Sequence, residues 1–373
     1  MTSPRPTLFG GQYHSRRAVL MLNLGSPDTP ETPDVASYLH TFLTDRRVVG
    51  LSKSIRHFLV DRIIVPRRAP KSAANYRTIW DEEKQSFPLI DHTASLAEQL
   101  AKHLQSPVAV GMRYGNPSTA SALTALASRS EIEEVVILPL YPHYARSSYE
   151  TAVAFVFEEL ARLQLRPLRF LLTPAFYDDP SYRAVLAEHV REHLPETFDK
   201  LIVSMHGIPT SHIPAPCRAH NGDTSHCLDR AHWHQAHGEE DCYRLQCETT
   251  RHTLADDLSL PQRQVELVYQ SRLGFHTWLK PYMSRRIGQF VSEGTEHLVV
   301  VCPGFVCDCL ETNQEIDDYY RGKFLASGGK SFTYIPCLNS APAFVGALSE
   351  LVTKTFADPT NLLGEPLPQK YQY

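Results

Sequence analysis

Two stretches of this chain carry residue types suited to metal and proton chemistry. The first is His206, set after the β-branched, apolar run 201–205 and before Gly207-Ile208-Pro209. That order puts an imidazole at the carboxyl end of a strand, ahead of a turn that glycine and proline enforce. Such a histidine binds a metal or accepts a proton near neutral pH, although a lone histidine is more often structural. The second stretch is 302–318, Cys-Pro-Gly-Phe-Val-Cys-Asp-Cys-Leu-Glu-Thr-Asn-Gln-Glu-Ile-Asp-Asp, preceded by the strand-like run 297–301. Pro303 and Gly304 end that strand, and Asp308 is placed to cap a following helix. On an α-helix Glu311, Glu315 and Asp318 fall at i, i+4 and i+7, so three carboxylates share a face. Carboxylates so spaced repel one another unless a cation or protons are shared among them; the alternative is a solvated acidic face. Both stretches leave strand ends of what should be one sheet. His206 and Glu311 are therefore candidates for a pair that holds a divalent ion loosely and moves protons.

The eight cysteines fall into two groups, with Cys337 apart. Cys217, Cys227, Cys242 and Cys247 lie among His212, His220, His226, His232, His234 and His237. In a reducing compartment such clustering points to metal more than to disulfides. The spacing matches no common zinc finger, and structural zinc or a His-rich surface without metal remain alternatives. Cys302, Cys307 and Cys309 form the second group, where buried packing is the ordinary role. The segment 138–150 brings Tyr141, Tyr144, Tyr149, Arg146, Ser147 and Ser148 to another strand end, a set that suits a flat aromatic ligand bearing carboxylates. Between 53 and 77, Ile55, Phe58, Leu59, Ile63, Ile64 and Val65 mix with Arg56, Arg62, Arg67, Arg68 and Lys71. A basic, apolar segment of this kind lies in a membrane interface or lines a pocket mouth; an ordinary surface helix with snorkelling side chains reads the same way.

The elements that must position these residues alternate. Strands are expected at 18–24, 108–114, 135–140 and 168–172, then at 201–205, 265–269, 298–301 and 332–335. Helices are expected at 32–42, 118–127 and 149–163, then at 243–257, 276–291, 311–320 and 342–356. Another opens with Asp179 as its cap and Pro180 at its first position. Strand alternating with helix implies parallel sheets covered on both faces, in two similar halves around a cleft. The 42% hydrophobic and 21% charged content is that of a globular protein, and a net charge of −4 argues against a general nucleic-acid binder. No apolar run approaches a membrane span and no signal sequence is recognisable, so a cytoplasmic location is expected.

Taken in order, SMHGIP at 204–209, LPLYPHYARSS at 138–148, YQSRLG at 269–274, WLKP at 278–281 and CPGFVCDCLETNQEID at 302–317 resemble ferrochelatases. LNLGSP near the N-terminus, MRYGNPS at 112–118 and NYRTIW at 75–80 add to a resemblance that covers nearly the whole chain. It implies insertion of Fe(II) into protoporphyrin IX or coproporphyrin III to form haem, with loss of two pyrrole protons. It also implies an α/β fold of two doubly wound, flavodoxin-like or chelatase-type domains with parallel four-stranded sheets. The expected boundaries are 1–175, 176–340 and a C-terminal helix and tail at 341–373, with a cleft lip at about 53–80 and a Cys/His-rich insertion at about 210–242.

By the same resemblance His206 is the active-site histidine, Glu311 its paired glutamate and Glu315 the next acid of a ladder conducting metal or protons. Tyr144, Arg46, Leu24 and Ser147 are implied to line the porphyrin site, and the lip to touch the membrane peripherally. The insertion departs from the ordinary family pattern. Arg146 stands where the animal-type enzymes have a remote cluster ligand, and no cysteine follows Cys337, so an animal-type cluster is not expected. An internal [2Fe–2S] cluster on Cys217, Cys227, Cys242 and Cys247 is the expectation, with a purely structural Cys247 as a rival. A monomer or homodimer is expected, acting on porphyrin and ferrous iron. The alternatives in function are a chelatase for another tetrapyrrole, such as cobalt into sirohydrochlorin, or a porphyrin carrier without turnover.

Overall fold

The computed structural model describes residues 6–218, 242–272, 277–364 and 367–372. The chain divides into two compact units, one of 1–141, 146–174 and 339–373, the other of 142–145 and 175–338. Each is built on one sheet. In the first, β2 (Arg17–Asn23) lies between β3 (Val108–Met112) and β4 (Glu134–Pro139), with β5 (Arg169–Leu172) beyond β4, all parallel. Ala18 to Met21 are fully buried, as expected of a central parallel strand covered on both faces, where the run is apolar throughout instead of alternating. A two-residue β1 (Leu8–Phe9) adds an antiparallel edge to β3, so this sheet has five strands where four were expected.

In the second unit β6 (Lys200–His206) lies between β7 (Val265–Gln270) and β8 (His297–Val301), and β9 (Ser331–Ile335) pairs with β8. Leaving aside β1, both sheets have the strand order 2-1-3-4, that of flavodoxin-like doubly wound folds. In such a sheet consecutive connections run in opposite directions from the first strand. The crevice where they part, at the strands' carboxyl ends, is where ligands bind. For the second sheet that point lies between β6 and β8. Its core is formed by Ile202, Val268, Leu298, Val300 and Phe332 from the strands with Ile287, Phe290, Ile316 and Phe324 from the helices.

Most of the expected helices form, at Thr32–Leu43, Thr119–Ala127, Thr151–Leu163, Tyr243–Asp257 and Pro342–Ala357 among others. Asp179 caps the Pro180–His193 helix by accepting from the backbone N–H groups of Ser181 and Tyr182. The helix expected from 276 begins only at Met283. The chain before it is extended and spends its hydrogen bonds elsewhere: Leu279 N–H donates to the Ile208 carbonyl, and the Thr277 carbonyl accepts from Thr210 N–H.

The acidic stretch also differs from expectation. It is a π-helix, Leu310–Tyr320, capped by Cys309 and not by Asp308. Asp308 is turned inward, where its Oδ1 accepts from Thr312 Oγ1 at 3.1 Å, Tyr334 hydroxyl at 2.6 Å and Cys337 N–H at 3.3 Å. A π-helix closes its bonds i→i+5, so each residue advances the winding less than in an α-helix. Glu311 and Glu315, four apart, stay neighbours. Asp318, seven apart, is carried off their face and is exposed. The ladder of three acids becomes a pair.

Candidate active site

His206 is the last residue of β6, opposite Gln270 at the end of β7. Its Nδ1 lies 2.7 Å from the Gly207 carbonyl. A carbonyl only accepts, so Nδ1 carries the hydrogen and Nε2 keeps its lone pair for a proton or a metal. The backbone beneath the ring is pinned as well: Tyr243 hydroxyl donates to the His206 carbonyl at 2.8 Å, and Gly207 N–H to the Gln270 carbonyl at 2.9 Å. Gly207 is tightly enclosed. A Cβ there would sit 2.9 Å from the Gln270 carbonyl oxygen and 3.2 Å from the Trp278 ring. Phe305 presents its ring edge-on to His206, with centroids 6.3 Å apart.

Burial lowers the His206 pKa below the ordinary imidazole value; the Glu311 carboxylate and the Gly207 carbonyl oppose that shift by favouring the charged form. Glu311 is therefore close enough to stabilise an imidazolium once a proton arrives. Burial also pushes the Glu315 carboxyl up, to about 7; hydrogen bonds from Ser271 moderate the rise and Glu311 adds to it. Two acids thus lie one turn apart, and one of them is balanced between its two protonation states near neutral pH.

Residues between the strands hold these groups in place. Gln270 is buried and accepts from Ser204 hydroxyl at 2.6 Å through Oε1, while its Nε2 donates to the Glu311 carbonyl at 3.1 Å. Ser271 binds Glu315 through backbone N–H and hydroxyl. The sequence motif YQSRLG contained both residues without revealing their task. Nothing in the spacing of that motif sets the register; only the parallel pairing of β6 with β7 brings Gln270 beside His206. Cys309 sits at the start of the π-helix, hydrogen-bonded to Glu311, and burial first, then that carboxylate, raise its pKa so that it stays a thiol.

Tyr144, in the second unit, is half-buried, and its backbone is clasped by Gln246, whose Oε1 accepts from Tyr144 N–H at 2.7 Å and whose Nε2 donates to its carbonyl at 3.2 Å. Leu24 and Ser147 belong to the first unit, where Leu24 directly follows β2 and Ser147 lies in the short Arg146–Glu150 helix. Arg46 is exposed, reaching the Gln372 carbonyl at 3.3 Å, whereas its neighbour Arg47 is buried on Glu150 at 3.1 Å.

Of the four cysteines expected to bind a cluster, Cys227 lies outside the described residues. Cys217 and Cys242 are buried side by side, and the hydrogen bond between them, with burial, raises the Cys242 pKa. Cys247 is buried too, within hydrogen-bonding reach of the Tyr243 hydroxyl. Among the described residues these three sulfurs are not within 4.8 Å of one another as a trio. Cys217 and Cys242 thus meet each other, while Cys247 meets Tyr243.

Fold and side chains together define a doubly wound α/β protein whose second sheet carries, at the ends of its strands, an imidazole beside two carboxylates. The ferrochelatase family model matches residues 16–356. A Porphyromonas gingivalis ferrochelatase is 44% identical over 343 residues, covering 91% of this chain and 96% of the relative. Ferrochelatases of Opitutus terrae and Pseudomonas aeruginosa are each 39% identical, covering 90% of this chain and 96% and 97% of theirs. Among solved structures, SirB from Bacillus subtilis with Fe3+ aligns over 91% of this chain and 95% of its own at 11% identity and TM-score 0.49. This chain belongs to the ferrochelatase family. It is a metal chelatase that places ferrous iron in a porphyrin to form haem.

Proposed function

We propose that His206 Nε2 is the base that takes a pyrrole proton as Fe(II) enters the porphyrin, and that Glu311 and then Glu315 carry protons away along the π-helix. The observation that carries this reading is the tautomer of His206: its Nδ1–H is held by the Gly207 carbonyl, its lone pair is on Nε2, and Glu311 lies beside it. The same two groups offer a nitrogen and an oxygen to the incoming iron. Both porphyrin protons must leave for the ring to bind a dication, and a relay acid with a pKa near 7 accepts and releases them without becoming trapped in either state. Leu24, Arg46, Tyr144 and Ser147 are proposed to contact the porphyrin, which is protoporphyrin IX or coproporphyrin III. Iron insertion by the wild type and His206→Ala, with both porphyrins offered, tests the proposal. A drop of about 10²–10⁴-fold in kcat supports it. A protein that binds and releases the ring unmetallated would be a carrier, and the reading would fail.

A [2Fe–2S] cluster on Cys217, Cys227, Cys242 and Cys247 is favoured by the two buried thiols that meet, since thiolates are the ligands such clusters use. Protein purified without oxygen should be red-brown and contain iron and sulfide, Cys242→Ser should lose the colour, and Cys302→Ser should keep it. A colourless protein containing zinc excludes the cluster. Peripheral contact with the cytoplasmic face of a membrane, as a monomer or homodimer, is favoured by Ile55 and Phe58. They are 55% and 61% exposed on the Lys53–Leu59 helix, in the most basic stretch of the chain. No helix among the described residues is long and apolar enough to cross a membrane.

A further inference from the structure

We propose a second divalent-metal site, separate from the substrate-iron site, formed by His189, Glu192 and His193 at the end of the Pro180–His193 helix. One ligand atom from each of the three lies within 4.8 Å of the other two. The spacing is His-x-x-Glu-His, which places both imidazoles on one helical face a turn apart; the same spacing holds zinc in a class of metallopeptidases. There the glutamate is a base, whereas Glu192 lies close enough to both imidazoles to act as a third ligand.

The tautomers favour this. His189 Nε2 lies 2.9 Å from the Pro336 carbonyl, and His193 Nδ1 lies 2.8 Å from the His189 carbonyl. Since carbonyls only accept, those nitrogens carry the hydrogens, leaving lone pairs on His189 Nδ1 and His193 Nε2. Metal-bound histidines almost always have the second ring nitrogen fixed in this way, by a carbonyl or carboxylate. The rings are close, with centroids 4.4 Å apart. The end of the helix adds the negative pole of its macrodipole, which favours a cation.

Two imidazoles and a carboxylate suit a first-row transition ion such as Zn2+, Co2+ or Fe2+ better than Mg2+ or Ca2+, which prefer oxygen donors. Glu192 and His193 are exposed, so the remaining coordination positions face solvent. The site is anchored to the strand end that also supports the acidic helix. Pro336, which accepts from His189, precedes Cys337, whose N–H donates to Asp308.

Co2+ is the probe, applied to chelator-treated full-length protein carrying His206→Ala so that the substrate-iron site is removed. Bound metal is counted by equilibrium dialysis, and the visible spectrum distinguishes nitrogen–oxygen sites from thiolate sites, which add intense near-ultraviolet charge-transfer bands. Adding His193→Gln should remove one equivalent of Co2+ and its visible bands while any thiolate bands persist. Adding Glu192→Gln instead should weaken that equivalent by about 10-fold or more. Both substitutions are at exposed positions, and unchanged circular dichroism checks that the fold is intact. An unchanged count and affinity in both variants overturns the proposal, as does a lost equivalent carrying the thiolate bands.

Discussion

Ser271 holds Glu315 with both of its donors: its backbone N–H lies 2.9 Å from Oε1, and its hydroxyl donates to Oε2. To do so it adopts a left-handed backbone, φ 62°, a conformation a non-glycine residue keeps only when its surroundings enforce it. The clamp fixes the acid that follows Glu311 on the π-helix and keeps its pKa from rising further under burial.

Ser271→Ala removes the hydroxyl bond and leaves the backbone bond in place. Because hydrogen bonds to a carboxylate favour its charged form, the Glu315 pKa should rise above its present value of about 7. The acidic limb of the pH–kcat profile should move to higher pH, by up to about one unit for each ~1.4 kcal/mol of stabilisation lost. A profile that keeps its limb and only loses amplitude would argue that Glu315 is not the titrating relay.

Glu315→Gln should slow iron insertion yet stabilise the protein at alkaline pH. The folded pKa, about 7, is above the model value of 4.5, so the native state holds this proton more tightly than the unfolded chain does. That contribution is complete below pH 4.5 and is lost as the pH rises through about 7. Removing the ionisable group should raise the free energy of urea unfolding at pH 8, by on the order of 3 kcal/mol at most, with most of the gain gone by about pH 5. Equal differences at both pH values would contradict the raised pKa.

Gln270→Leu keeps the size and removes the polar group. Ser204 hydroxyl and the Glu311 carbonyl then lose their partners in a buried setting, which costs about 1–3 kcal/mol for each group left unsatisfied. Chemical unfolding should register the loss. Activity should fall further than the stability loss alone explains, because the first turn of the π-helix is no longer tied to the end of β7.

Ile55→Ser with Phe58→Ser should lower partitioning onto vesicles containing anionic lipid, measured by co-sedimentation. Each apolar side chain fully buried contributes about 1.5–3 kcal/mol, so the pair should reduce binding by at least about 10-fold. Iron insertion with a soluble porphyrin should be little changed. Unaltered sedimentation would remove the membrane from the account of this helix.

Local pattern was enough for the strands. The runs ending at Asn23, Pro139, His206 and Val301 are apolar because a parallel strand buried on both faces admits little else, and this places His206 at a strand's carboxyl end before any coordinates are known. The cap at Asp179 is equally local, set by a side chain reaching two and three residues along the chain. The winding of 310–320 is not. An α-helical reading puts Glu311, Glu315 and Asp318 on one face, and only the packing of Ile316 and Tyr320 into the second core, with Asp308 drawn inward by Tyr334 and Cys337, accompanies the wider turn that separates Asp318.

What the order of residues determined by itself was therefore the kind of chemistry and most of the scaffold: an imidazole, two acids, two parallel sheets. The tertiary structure decided which groups act on which. Gln270 and Ser271 lie 64 and 65 residues from His206 along the chain, yet parallel pairing of β6 with β7 puts them beside it. Tyr243 reaches the His206 carbonyl, and Cys217 meets Cys242 while Cys247 does not join them. The strength of a base or the pKa of an acid depends on desolvation and on neighbours brought together by folding, and neither is written in the spacing of residues along a chain.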